Sequence, residues 1–377
     1  MKSRSLIGVC LALTATLLAP FARACTGITL RARDGAVVYG RTLEWGAFDM
    51  KSRLMYVPRG HEFVGATPDG KPGFRWKTQY GIVGIDVLEK GILADGINEA
   101  GMAIGLFYHP GYADYGKYDP QDAAHTIAPT QVVNYLLSRC ATVGEVREAM
   151  SKVDVAPVVE KALGFPAPIH VIATEPSGKA VVIEFLEGEV VILDNPLGVI
   201  TNAPTFEWHM TNLRNYINLS PVAIPKTRVG PVDFKPLGAG SGMIGLPGDF
   251  TPPSRFVRAV AFSVTARPTR DGPETLYEVL RILDNFNVPV GAAEGSDDDT
   301  PHKGTGALRS ATLWTSASDT KNRLFYYHTQ HNRRVRMVDL KRIDFTSFDK
   351  IVYRPLDPEK TQDIQDVTLN APAKGER

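Results

Sequence analysis

The sequence predicts a single domain of the α+β class, built from layers of strands and helices. Apolar and polar residues alternate from 25 to 45, with a turn at Asp34-Gly35, which predicts a β-hairpin. Glycine-bearing turns divide residues 81–111 into further short apolar runs that are typical of strands. Two segments with helical apolar spacing follow, at 128–140 and 142–153.

The second half of the chain continues this alternation of element types. Residues 169–195 return to strand-like runs, and helical spacing recurs at 254–264 and 274–283. Residues 310–329 predict a last hairpin, and the chain from Asp357 is polar enough to be a loose end or a wrapping arm. Strands, helices, strands, helices and strands in this order indicate one layered domain without repeats or a linker.

The first 24 residues predict a secretory signal peptide. The basic opening MKSRS precedes an apolar run at 6–20, and Ala22 and Ala24 stand at the cleavage positions before Cys25. A buried N-terminal helix is the alternative, but Pro20 and the order basic, apolar, small favour export. We therefore expect a mature domain of residues 25–377 in the periplasm of a Gram-negative bacterium or outside the cell. The apolar run is too short for a membrane span, and no stable membrane association is expected.

Charge and composition exclude several classes of protein. Without the signal peptide the chain keeps 39 basic and 41 acidic residues, so neither nucleic acid nor an anionic membrane is an expected partner. The acidic run 294–304 contains three consecutive aspartates, whose carboxylates cannot all point one way and whose spacing matches no calcium loop. This run is therefore predicted to be a solvated surface loop. The sequence as a whole predicts no metal and no cofactor.

Cysteine usage argues against a disulfide scaffold. Cys10 leaves with the signal peptide, so only Cys25 and Cys140 remain. A bridge between these two is one interpretation of Cys140. The other, favoured by the helical pattern around it, is a small buried apolar residue.

Cys25 at the start of a mature chain would combine a thiol and an α-amine on one residue. Their ordinary pKa values of about 8.5 and about 7.7 to 8 allow the amine to serve as the base for its own thiol. No histidine is then required as the base. The histidines, among them His209 and His302, do not form a recognisable Cys/His arrangement in the sequence. The competing interpretation is a lipobox with Cys25 as an anchor, but Ala22 and Arg23 are not its usual residues and no polar tether follows.

Arg41 and Glu44 lie on the strand predicted to return beside Cys25. The guanidinium can stabilise a thiolate, and the carboxylate can hold the α-amine. Strand residues three apart face opposite sides unless the strand bends or bulges, so a shared site requires such an irregularity. A surface ion pair is the alternative.

Five further motifs follow Cys25 in the chain: GRTLEW, NEAGMAIGLFYHPGYADY, ITNAPTFEWHMTNLRNY, LPGDFTPPSRFVRA and TLWTSASDTKNRLFYY. With the cysteine at the predicted mature start and these motifs in family order, the sequence resembles the choloylglycine hydrolase family, which holds conjugated bile acid hydrolases and penicillin V acylases. These motifs span nearly the whole mature chain. The resemblance implies the four-layer αββα sandwich of N-terminal nucleophile (Ntn) hydrolases, hydrolysis of a linear amide and a homotetramer.

The resemblance also implies the active-site residues. By their match to the family's motifs, Cys25 is the expected nucleophile and Arg41 the arginine beside it. Asn202, through its side-chain amide, and Tyr108, through its backbone N–H, are the expected hydrogen-bond donors to the oxyanion. Glu44 stands where the family commonly has Asp, and Arg255 matches a second active-site arginine. Taken one at a time, Asn202 would be a turn residue, Arg255 a solvent-facing helix residue and Tyr108 a core aromatic. The extra methylene of Glu44 leaves open whether its carboxylate reaches the α-amine.

The substrate is expected to carry an apolar acyl group. Trp45, Met50, Phe107 and Trp208 stand beside the motif residues and are candidates for its pocket, with core packing as the alternative. The export signal and the tryptophans favour the penicillin V acylase branch, with phenoxyacetyl amides or acyl-homoserine lactones as substrates. A bile salt hydrolase and a non-catalytic, lipid-anchored envelope protein of the same fold remain as alternatives.

Overall fold

The computed structural model describes residues 25–46, 49–293 and 311–369. The predicted signal peptide and the acidic run 294–304 lie outside the described residues, as does His302. The predicted hairpin, strands and helices are all present at the expected places.

The first sheet is antiparallel and has the predicted hairpin at one edge. Its five strands, in spatial order, are β1 (Cys25–Arg31), β2 (Val37–Trp45), β18 (Ala311–Asp319), β19 (Leu324–Thr329) and β20 (Arg336–Asp339). Every residue of β2 is buried, because that strand has neighbours on both sides and other layers on both faces. The first and last thirds of the chain therefore meet in one sheet, with Cys25 on an edge strand.

The second sheet has eight antiparallel strands. In spatial order these are β15 (Glu189–Asp194), β14 (Ala180–Leu186), β13 (Ile169–Thr174), β8 (Ala103–Tyr108), β7 (Ile92–Asn98), β6 (Ile82–Val87), β3 (Arg53–Val57) and β21 (Val352–Pro355). Its central strands are buried on both faces, which explains their continuous apolar runs. Alternate residues of β13 accordingly pack into different cores, Ile172 into one and Val171 and Ala173 into the other.

Among the described residues there are five α-helices, four of which cover the outer faces of the two sheets. The five helices are α1 (Val132–Arg139), α2 (Val143–Met150), α3 (Phe206–Asn212), α4 (Pro252–Thr265) and α5 (Gly272–Leu283). Helices α1 and α2 pack on the eight-stranded sheet, and α4 and α5 pack on the five-stranded sheet, whereas α3 packs on α4. Gly40 of β2 allows the close approach of α5, since a Cβ there would lie 2.5 Å from Val279 Cγ1. The layer order is αββα, which confirms the predicted fold class.

Several elements were not predicted, including β3, β21 and α3. Eight further strands are short and form small hairpins or bridges outside the two large sheets: β4 (Glu62–Ala66), β5 (Pro72–Lys77), β9 (Thr126–Ile127), β10 (Asp154–Val155), β11 (Val159–Glu160), β12 (Phe165–Pro166), β16 (Thr227–Val229) and β17 (Val232–Phe234). Strands this short carry too little periodicity to be recognised in a sequence.

Most of residues 217–245, here called the arm, are exposed. The arm contains the β16–β17 hairpin, all of whose residues are exposed. Its exposed apolar side chains include Ile217, Phe234 and Leu237. Within the described parts of the chain, no helix combines the length and the apolar character needed to cross a bilayer.

Candidate active site

Backbone pairing brings Cys25 beside a loop that is distant in sequence. Cys25 is paired with Leu43 on β2, and on the free edge of β1 Gly27 exchanges two backbone hydrogen bonds with Ile200, of 2.8 and 3.0 Å. This bridge places the segment after Ile200 next to the first residue of β1. Asn202 consequently meets Cys25 across 177 positions of sequence.

The Asn202 side chain connects three residues of the site by hydrogen bonds. Its Oδ1 accepts hydrogen bonds from the Cys25 nitrogen and from Arg255 Nη2, both at 2.8 Å. Its Nδ2 donates to the Tyr108 carbonyl oxygen at 2.7 Å. These partners fix which end of the amide is oxygen and which is nitrogen. Because the amide nitrogen has two hydrogens and Tyr108 takes one, the second remains for an oxyanion.

Arg255 is fully buried in the first turn of α4, so the solvent-facing alternative does not hold. Its Nη1 donates to the Cys25 carbonyl oxygen at 2.5 Å and to Thr26 Oγ1 at 2.9 Å, and its Nε donates to the Phe250 carbonyl oxygen. Burial lowers the pKa of Arg255 to about 10, which leaves it protonated at neutral pH. The guanidinium thus fastens both Cys25 and Asn202.

Arg41 is also fully buried, with its guanidinium 4.3 Å from the centre of the Phe107 ring. Its Nη1 donates to the carbonyl oxygens of Ala94, at 2.9 Å, and Leu106, at 2.5 Å, which ties β2 to β7 and β8. Burial raises the pKa of the Cys25 thiol, and the positive charge of Arg41 is the largest effect that opposes this rise. Arg41 is therefore placed to favour a thiolate.

Glu44 reaches the same cavity as Cys25 and Arg41. The pairing of β18 with β2 is irregular between Thr312 and Trp314, opposite Glu44 and Leu43. The extra residue at this irregularity, Leu313, lies on β18, and a bulge of this kind increases the local twist of the strand pair. Glu44 Oε1 accepts a hydrogen bond of 2.7 Å from Thr312 Oγ1, and burial raises the pKa of Glu44 to about 7. The nitrogen of Cys25, by contrast, donates to Asn202.

Asp95 is a buried acid of this region that the sequence analysis missed. It lies on β7 directly after Ala94, whose carbonyl oxygen binds Arg41, and its Oδ2 accepts a 2.7 Å hydrogen bond from Ser316 Oγ. Burial raises the pKa of Asp95 to about 7, and the charge of Arg41 opposes the rise. A lone aspartate inside the apolar run ILADGIN was the signal that could have identified it.

A cavity of about 70 Å³ is lined by Cys25 and mainly by apolar side chains. Of the four predicted pocket residues, Trp45 and Met50 line it. Phe107 is instead fully buried against Arg41 and His170, and Trp208 is 44% exposed on α3. Sequence reasoning missed the other apolar lining residues, Leu43, Val87, Leu88, Ile92, Ala94, Leu106, Leu163, Ala167 and Ile169, and two polar ones, Thr130 and Glu160.

Three buried histidines and Glu184 lie behind the segment 201–204 that carries Asn202. Burial lowers the pKa values of His109 to about 3 and of His170 and His209 to about 4. His109, His170 and Glu184 have ligand atoms within 4.8 Å of one another. The two imidazole rings, however, are stacked with planes 3° apart. A metal ion has to lie near the plane of each imidazole that binds it, so this pair does not form a metal site.

The sandwich and the site together define a fold of the N-terminal nucleophile hydrolase class, with a cysteine as the first residue of its first strand. The sequence profile described as "Linear amide C-N hydrolases, choloylglycine hydrolase family" matches residues 25–353, so the chain belongs to this family. Its members hydrolyse linear amide C–N bonds.

Individual relatives include enzymes of two specificities. The chain is 29% identical over 323 residues to a bile salt hydrolase/transferase from Clostridium perfringens, covering 84% of this chain and 93% of that one. It is 24% identical over 327 residues to a penicillin V acylase from Pectobacterium atrosepticum, covering 82% and 78%. A crystal structure of a mutant conjugated bile acid hydrolase from Clostridium perfringens has a TM-score of 0.77 and 26% identity, covering 91% and 100%.

The buried histidines predict a loss of stability in acid. Because their pKa values are lower in the folded protein than the ordinary 6.5, the unfolded chain binds more protons between about pH 6.5 and pH 4. Stability should therefore fall as the pH falls through this window. His209→Gln removes one such group and should reduce the slope by up to about 1.4 kcal/mol per pH unit.

Urea unfolding of wild type and His209→Gln at several pH values between 4 and 7.5 measures these slopes. The exposed His125→Gln is the matched control and should keep the wild-type slope. An unchanged slope in His209→Gln would contradict the prediction.

Proposed function

We propose that this protein is an exported amidase in which removal of residues 1–24 frees Cys25 to attack the carbonyl carbon of a linear amide. The observation that carries the proposal is the pair of hydrogen bonds by which Asn202 Oδ1 holds both the Cys25 nitrogen and Arg255. The family match beginning at Cys25 and the predicted signal peptide support the same assignment. The proposed location is the periplasm or the extracellular space.

In the proposed acylation step the α-amine of Cys25 takes the proton of its own thiol. The thiolate, favoured by Arg41, adds to the amide carbonyl carbon, and the oxyanion accepts the free hydrogen of Asn202 Nδ2. The protonated α-amine then gives its proton to the leaving nitrogen, the C–N bond breaks, and a thioester of Cys25 remains. Water, deprotonated by the amine, hydrolyses this thioester and releases the acid.

Asn202 Oδ1 would serve this mechanism by orienting the α-amine. It accepts one N–H of the amine, which directs the nitrogen lone pair away from Asn202 and leaves it available to the thiol. Arg255 holds the same oxygen and the Cys25 carbonyl, so the nucleophilic residue is restrained at both ends of its backbone. Glu44, buried beside Arg41 and Arg255, supplies a compensating negative charge when ionised.

The acyl group that the cavity suits best is a slender apolar chain. The cavity is small and most of its lining side chains are apolar, which supports an alkyl or aryloxyalkyl group over a fused ring system. Acyl-homoserine lactones and penicillin V carry such groups. Bile salts are the second candidate, because relatives with that activity align over most of the chain.

Substitution of the nucleophile provides the first test. Cys25→Ser and Cys25→Ala should abolish turnover of every amide that the mature protein hydrolyses, with unchanged circular dichroism, and one extra residue before Cys25 should do the same by removing its α-amine. Cys140→Ala is the matched control, since Cys140 is the other cysteine of the mature chain and is buried far from the site in the second core. Retained turnover in the extended protein would refute the amine as base.

Intact mass of the mature protein separates this enzyme from a lipid-anchored envelope protein of the same fold. A mass that begins at unmodified Cys25 agrees with the proposal. Added acyl chains on Cys25 would refute it, because acylation of the α-amine removes the base.

Acyl specificity is tested with penicillin V, glycocholate and acyl-homoserine lactones of several chain lengths. We expect the lactones or penicillin V to have the highest kcat/KM. Ile92→Phe, which narrows the cavity, should reduce kcat/KM for the longest accepted chain by about 10- to 100-fold and leave short chains unaffected. Ile92→Ala is the opposite change and should extend the accepted length. Glycocholate as the best substrate would refute the slender-chain proposal in favour of a bile salt hydrolase.

We also propose that the chain forms a homotetramer in which the arm docks on a second copy. Its exposed Phe234 and Leu237 form part of an apolar surface that is unfavourable in water. Light scattering should give four chain masses for the wild type and a smaller assembly for the double variant Phe234→Ser, Leu237→Ser. Tyr277→Ser, equally exposed but on α5, should leave the mass unchanged. A monomeric wild type, or a tetrameric double variant, would refute this proposal.

A further inference from the structure

Three histidines hold the backbone of the segment that carries Asn202. His170 Nε2 lies 2.9 Å from the Thr201 carbonyl oxygen, and His209 Nε2 lies 2.9 Å from the Asn202 carbonyl oxygen. His109 Nε2 lies 3.3 Å from the Pro204 carbonyl oxygen. A carbonyl oxygen only accepts hydrogen bonds, so each of these nitrogens must carry the hydrogen. Together with Glu184 they are called the histidine cluster below.

The positions of the ring hydrogens indicate that His109 and His209 are neutral. The Nδ1 atoms of His109 and His209 have no hydrogen-bond partner among the described residues. Protonating either atom would bury an N–H without an acceptor, which is costly. The neutral form with hydrogen on Nε2 therefore fits both residues, so His109 and His209 donate their hydrogen bonds as neutral imidazoles.

Glu184 secures the far end of the same segment. Its Oε1 accepts a 2.8 Å hydrogen bond from the backbone nitrogen of Phe206, and Phe206 is the first residue of α3. The same oxygen lies 3.4 Å from His170 Nδ1. Helix α3 also begins with a cap, because Thr205 accepts from the Trp208 nitrogen. The backbone between Thr201 and Phe206 is thus held at four points by side chains that touch none of the proposed reacting atoms.

His209 differs from the other two histidines because it binds Asn202 itself. Its ring also stacks on Phe256, with centroids 4.6 Å apart, and Phe256 follows Arg255 on α4. His209 therefore connects the backbone of Asn202 with α4, the helix that carries Arg255. A shift of the Asn202 backbone or of α4 would move Asn202 Nδ2 relative to the Cys25 thiol.

We infer that His209 is a positioning residue for the oxyanion donor: its Nε2–H fixes the Asn202 backbone so that the free hydrogen of Asn202 Nδ2 points at the developing oxyanion. The inference rests on the proposed amidase function and extends it to a residue outside the reacting groups. Because the oxyanion exists only in the transition state, loss of this hydrogen bond should lower kcat and leave KM nearly unchanged. Misplacing a catalytic group by about 1 Å typically costs on the order of 10²-fold in rate.

The test compares two side chains of similar shape at position 209. His209→Gln keeps an N–H donor at about the place of Nε2, whereas His209→Met has none. We expect His209→Met to lower kcat by about 10- to 100-fold with KM within about twofold of wild type, and His209→Gln to stay within about fivefold. Equal losses in the two variants, or a loss confined to KM, would overturn the inference.

A double-mutant cycle with Asn202→Ala tests whether His209 acts through Asn202. If it does, His209→Met should change kcat by less than about twofold once Asn202 is alanine. A full additional loss in that background would overturn the inference. If His209→Met does not fold by circular dichroism, His209→Asn replaces it, since its amide is one methylene too short to reach the Asn202 carbonyl.

Failure of this inference can be told apart from failure of the proposed function. An unsubstituted mature protein that hydrolyses no amide refutes the function. An active wild type with an equally active His209→Met refutes only the positioning role.

Discussion

The structure of the site depends on one side-chain amide that joins three parts of the chain. Asn202 binds the nitrogen of Cys25 on β1, Arg255 on α4 and the Tyr108 carbonyl at the end of β8. Each partner belongs to a different layer of the sandwich or its edge. Because these three bonds occupy all amide positions but one hydrogen of Nδ2, Asn202 has a single orientation.

Around this amide the protein buries an unusual number of charged side chains. Arg41, Arg255, Glu44 and Asp95 are each at most 1% exposed. Burial works against each charge, while the two arginines and two acids favour each other's ionised forms. Removing one member of such a group commonly costs about 3–5 kcal/mol, because a buried charge loses its partner. The site is therefore one electrostatic unit, in which a thiolate at Cys25 would be a further negative charge facing two guanidinium groups.

The cavity and the hydrogen bonds of Asn202 involve largely different parts of the chain. Most cavity residues come from the eight-stranded sheet and the β11–β12 hairpin, whereas Asn202 and Arg255 lie on a loop and on α4. Arg41 and Glu44 of β2 line the cavity and also belong to the buried charged group. Under the proposed function, substrate range can change through the cavity while Asn202 and Arg255 keep their positions. Relatives named as a bile salt hydrolase/transferase and a penicillin V acylase are 29% and 24% identical to this chain.

The sequence by itself determined the layered α+β class, the hairpin that begins at Cys25 and the main helices, because these follow from local periodicity and turn residues. Motif resemblance indicated Cys25, Arg41, Glu44, Tyr108, Asn202 and Arg255, and the structure brings them together. Only the tertiary structure decided that Trp45 and Met50 line the cavity whereas Phe107 packs under Arg41 and Trp208 faces solvent. It alone revealed Asp95 and the histidine cluster. Their partners lie between 7 and 221 positions away. Which side chains meet depends on strand order, register and loop path, which local patterns do not encode.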